Sequence, residues 1–102
     1  MNTISRSQHN ITYNCIYNST KKLLLKLLET NLPIVLYGKG GCGKTVLLNE
    51  LYDKIESKGY IIESDNRINE SMFDNKYIIT LFELDKIRMI DENKYYLINM
   101  NS

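Results

Sequence analysis

Residues 33–45 run Pro33-Ile34-Val35-Leu36-Tyr37-Gly38-Lys39-Gly40-Gly41-Cys42-Gly43-Lys44-Thr45, and this stretch decides the fold. Gly38 to Thr45 fit G-x-x-x-x-G-K-[ST], a loop whose backbone amides cradle phosphate. The flanks supply the context such a loop needs. Before it, Ile34 to Tyr37 form a short apolar run, with Pro33 at its entry where a strand tolerates proline. After it, Leu48, Leu51, Tyr52 and Ile55 recur at helical spacing. The glycines therefore sit between a strand and a helix.

Each residue type answers a need of a bound polyphosphate. Gly40, Gly41 and Gly43 let the backbone curl so that successive N–H groups point inward. A helix starting near Gly43 adds its unpaired first amides and the positive end of its dipole. Lys44 brings a point charge for the terminal phosphates, and the Thr45 hydroxyl suits a Mg²⁺ ligand. A plain glycine-rich turn explains neither Lys44 nor Thr45. A dinucleotide reading uses Gly38, Gly40 and Gly43 as G-x-G-x-x-G, with Glu63 as the ribose acid. It leaves Gly41, Lys44 and Thr45 without a role, and 102 residues hardly accommodate a second mononucleotide half.

On these residues the chain resembles the P-loop NTPases. The resemblance implies a small three-layer α/β core, a short and mostly parallel sheet flanked by helices, truncated relative to full-length members. It also implies Mg²⁺-dependent binding of a nucleoside triphosphate, with ATP the default on family frequency. Lys39 to Thr45 is also similar to K-G-G-x-G-K-T, the deviant loop of partition and septum-positioning ATPases. There the first lysine, here Lys39, reaches the phosphates of a partner subunit, which implies a homo-oligomer. This chain departs from that family. Its loop lies further from the N-terminus, and Glu63-Ser64-Asp65 stands where an aspartate-bearing strand belongs. The competing reading of Lys39 is a solvated lysine at a variable loop position.

The chain's 102 residues suggest one domain with a modest core. Hydrophobic residues at 43% and charged residues at 25% are ordinary for a soluble globular protein. A net charge of +1 gives no field that would recruit nucleic acid. No apolar run approaches the roughly 18 residues of a membrane span. Residues 1–19 lack the apolar core of a signal peptide, so a cytoplasmic chain is expected. Cys15 and Cys42 are too few and too far apart for a disulfide framework or metal site.

Residues 1–18 read as a polar arm, docking in part through Ile11, Tyr13 and Ile16, and residues 19–102 as the nucleotide-binding domain. His9 lies in the arm with no partner acid or nucleophile nearby in sequence. Ser19 to Thr30 has the spacing of an amphipathic helix, burying Leu24, Leu27 and Leu28. Gly59 is a natural helix stop, followed by a second strand, Tyr60 to Glu63. Ser64 to Asn75 is polar, with room for one helical turn around Ile68 to Phe73. Tyr77 to Phe82 is nearly all apolar, as a central, doubly covered strand should be. Lys86 to Met100 holds a last strand, with a hairpin through Asp91-Glu92-Asn93 as one arrangement.

The phosphate site calls for a carboxylate at a strand end. Glu83 and Asp85, straddling Leu84, are the candidates, with Asp85 the expected metal ligand beside Thr45. Their alternative is an acidic strand exit with no chemistry. Ile78 to Ile87 is also faintly similar to the sensor strand of viral superfamily-three helicases, whose asparagine is matched here by Phe82.

The expectation is nucleotide binding through residues 38–45, catalysis by Lys44 with Glu83 or Asp85, and hydrolysis that is weak or needs an oligomer or a larger ATPase partner. Two other readings remain. One is a non-catalytic nucleotide-binding remnant of a larger helicase or ATPase. The other is a small-molecule kinase using Glu63 or Asp65.

Overall fold

Near-continuous apolar sequence puts Ile34–Tyr37 and Tyr77–Leu81 side by side in the middle of a sheet. The computed structural model describes residues 10–12, 17–39 and 43–100. Among them are strands β1 (Asn10–Thr12), β2 (Ile34–Tyr37), β3 (Ile61–Ser64), β4 (Tyr77–Leu81) and β5 (Tyr96–Asn99). All pairings are parallel, in the order β1-β5-β2-β4-β3. Val35 faces Ile79 on one side and Leu97 on the other, so β2 is the central strand. Parallel pairing brings every strand's C-terminal end to one rim.

The helices are α1 (Tyr17–Leu27), α2 (Lys44–Glu50) and α3 (Tyr52–Ser57). The helical spacing after the loop thus yields two helices rather than one. They meet at Leu51, whose φ of −99° and ψ of 8° leave the helical well. Leu48, Leu51 and Ile55 are buried along the expected stripe, whereas Tyr52 is half-exposed. Gly59 ends this segment with φ +83°, a conformation glycine adopts without cost.

Side chains alternate along each strand, so the sheet has two apolar faces. On the first, Ile34, Leu36, Ile78, Tyr96 and Ile98 pack against Leu24, Leu28, Leu47 and Ile55 of the helical layer. On the second, Val35, Ile79, Leu81 and Leu97 pack against Met72, Phe73, Ile87 and Tyr95. This second layer holds short 3₁₀ turns, Glu70–Asp74, Leu84–Ile87 and Glu92–Lys94, in place of α-helices. The result is a small three-layer α/β core, as the sequence led us to expect.

The hairpin arrangement of the tail does not occur. β5 runs parallel to β2 and lies across it from β4. Residues 82–95 provide the dozen or so residues that a parallel crossover requires. Asp91 shapes the end of that crossover, its carboxylate accepting from the Asn93 N–H at 2.9 Å.

Candidate phosphate-binding site

Two backbone hydrogen bonds fix the point at which the loop leaves the sheet. The Gly38 N–H donates to the Leu81 carbonyl at 3.0 Å, and the Met100 N–H donates to the Tyr37 carbonyl at 2.7 Å. The end of β2 is thereby clamped from both flanking strands. Ligands of open α/β sheets bind at this C-terminal rim, where connections from neighbouring strands diverge to opposite sides. Here the chain leaves β2 toward β3 on one side, and leaves β4 toward β5 on the other.

Gly43 precedes α2 with φ +96°, a left-handed conformation that strains any residue bearing a Cβ. The first helical bond follows from it, Leu47 N–H to Gly43 carbonyl at 2.9 Å. Lys44 then points back toward the rim. It is only 7% exposed, unusual for a lysine. Its Nζ donates to the Gly38 carbonyl and, at 3.3 Å, to the Lys39 carbonyl. The same ammonium lies 4.6 Å from the centroid of the Phe82 ring. Such a cation–π contact contributes about 0.5–2 kcal/mol, more as the pair is desolvated. Thr45 is exposed beside it, as is the Lys39 side chain. Gly40, Gly41 and Cys42 lie outside the described residues.

The model of the KAP family P-loop domain matches residues 13–101 of this sequence. The chain belongs to that family. The match covers the strand, loop and helix of residues 33–57 and all later strands, so the P-loop assignment no longer rests on the motif alone. No match was found among curated proteins or solved structures.

Within this KAP-family domain the acids expected near the loop are placed differently from one another. Asp85 lies in the 3₁₀ turn Leu84–Ile87, and its carboxylate pairs with the Arg88 guanidinium at 2.7 Å. It lines a cavity of about 340 Å³ with Ile87, Ile90, Tyr95 and Leu97 on the second face. Glu83 is exposed in extended backbone just after β4. Glu63 is half-buried in β3, one register step from the strand end, and the side chain of Asp65 lies outside the described set. Arg67 is exposed.

The side chain that β4 brings to Lys44 is Phe82. In the sequence it stands as the last residue of the apolar run Tyr77 to Phe82 and as the replacement for a helicase asparagine. The signal that would have found it is parity. Leu81 ends the row Val35, Ile79, Leu81 of the second face, so position 82 falls on the first face, where α2 packs.

Proposed function

We propose that this chain binds a nucleoside triphosphate at the rim formed by Gly38, Gly43, Lys44 and Thr45, with hydrolysis weak or dependent on groups from another chain. The observation carrying this reading is Lys44: a nearly buried ammonium, turned over the carbonyls of Gly38 and Lys39, at the C-terminal rim of a parallel sheet. The contacts of this lysine include two neutral carbonyls and an aromatic face. Terminal phosphate oxygens would replace the weaker carbonyl contacts with charge-assisted hydrogen bonds. ATP is the proposed nucleotide, and the Lys39 side chain, exposed at the mouth, would reach a second subunit's phosphates if the domain pairs.

Phosphoryl transfer to water requires positioning and charge neutralisation beyond one lysine. A Mg²⁺ ion fits the described side chains poorly. Thr45 offers one hydroxyl oxygen, Asp85 lies in the 3₁₀ turn on the second face, and the residue just after β4 that meets Lys44 is a phenylalanine. The reading therefore favours binding over turnover.

Calorimetric titration with ATP, wild type beside Lys44→Ala, tests it, with released phosphate assayed in the same samples. Loss of one charge-assisted contact should weaken binding at least about tenfold in the variant. Equal binding by both proteins, or none by either, would remove the reading.

A further inference from the structure

We propose that Phe82 makes this site indifferent to the divalent ion, so that the chain binds the free nucleoside triphosphate about as well as its Mg²⁺ complex. The inference rests on the phosphate-site reading above and deepens it.

Three observations place position 82 in the site. Tyr37 is in register with Leu81, and the Gly38 N–H bonds the Leu81 carbonyl, so position 82 stands abreast of the first loop residue. Side-chain parity puts it on the face where α2 packs. Its ring lies within 4.6 Å of the Lys44 ammonium, and it remains 52% exposed, so it is at the open mouth and not in the core.

Mg²⁺ in phosphate sites is held by one or two carboxylates together with the substrate's own phosphates, in a strict octahedron of oxygens. A carboxylate at position 82 would lie against Lys44, the residue before Thr45, where it could hold the ion directly or through water. A phenyl ring supplies no oxygen there and keeps water from that side of the ammonium. The next acid in the chain, Glu83, is exposed in the extended backbone that follows β4. Asp85 sits further on, in the turn where it pairs with Arg88. Among the described side chains the ion therefore gains little beyond the Thr45 hydroxyl, and its presence on the nucleotide changes the affinity little.

The test is calorimetry of the whole chain with ATP, once in excess MgCl₂ and once in EDTA, for wild type, Phe82→Asp, Phe82→Leu and Lys44→Ala. Wild-type affinity should differ by less than about threefold between the two buffers, which is under about 0.7 kcal/mol. Phe82→Asp should prefer the Mg²⁺ complex by at least about tenfold, the new carboxylate holding the ion and repelling the bare triphosphate. Phe82→Leu should stay indifferent. A wild-type preference for the Mg²⁺ complex above about tenfold overturns the proposal, whatever the variants do. So does a Phe82→Asp protein that melts cooperatively, binds ATP and shows no preference. Failure of the underlying reading looks different: wild type and Lys44→Ala then bind alike in both buffers, or neither binds.

Discussion

The two faces of the sheet are built from the same strands yet covered unequally. The first carries α1, α2 and α3; strand residues of both faces, Ile34, Leu36, Ile78 and Ile98 here and Val35, Ile79 and Leu81 opposite, are fully shielded from solvent. The second carries 3₁₀ turns of three to five residues. Such turns have poorer hydrogen-bond geometry than α-helix and do not extend. On that ground the side with α2 is expected to be the more rigid, and the side that holds Asp85 the more yielding. The proposed phosphate site, which relies on Lys44 staying in one place, would gain from that division.

Core truncation should show the contrast most strongly. Leu36→Ala, on the helical face, is expected to cost about 3–5 kcal/mol, because packed helices on a sheet cannot close the void. Leu97→Ala, on the thin face, should cost about 2–3 kcal/mol, as the turns settle into the space. Urea unfolding of both variants decides it, and equal losses would mean equally rigid faces. Hydrogen exchange gives the next largest effect. Amides of residues 84–94 should exchange through openings at least about 2 kcal/mol cheaper than those of β2 and α1. Uniform protection would abolish the distinction.

Each face also carries a buried tyrosine, which gives a smaller, pH-dependent comparison. Burial pushes the Tyr60 phenol up from its ordinary value, with the Thr30 hydrogen bond partly opposing and Tyr96 adding to it. Burial, then the charges of Glu92 and Asp91, push the Tyr95 phenol up as well. A raised folded value means the native state favours the neutral phenol. That contribution is fully present below about pH 10, the unfolded value, and is lost as pH rises through the folded one. Tyr60→Phe and Tyr95→Phe should each flatten the alkaline decline in stability. At neutral pH Tyr60→Phe should cost about 1 kcal/mol, from the bond its hydroxyl donates to the Leu32 carbonyl at 2.7 Å. The smallest effect is expected at Arg88→Ala. Its pair with Asp85 is exposed, so the loss should stay under about 0.5 kcal/mol in thermal melts.

Much of the helical face was legible because its signals are local. The apolar runs of β2 and β4, the stripe of α1 and the glycine spacing of the loop each lie within a few residues. Strand order is a different matter. A short, nearly continuously apolar strand such as Tyr96–Asn99 suits a hairpin through Asp91-Glu92-Asn93 as well as a place beside β2, and only tertiary packing decides. The break at Leu51 was hidden because Leu48, Leu51 and Ile55 keep one stripe through it. Position 82 was hidden for a related reason. Which residue faces Lys44 depends on where β4 ends relative to β2, and that is set by the bond between Gly38 and Leu81, 43 residues apart.

The placement of β2 between β4 and β5 also bears on how the protein comes into being. A chain made from its N-terminus exposes residues 38–45 early, while both strands that clamp the loop's exit are still to come. The Gly38 amide must wait for Leu81, and the Tyr37 carbonyl for Met100. Contacts so distant in sequence form slowly and late. On the ribosome, the clamp on the end of β2 is therefore complete only after residue 100 has emerged, and under the proposed function capture of nucleotide should mark that synthesis has passed that point.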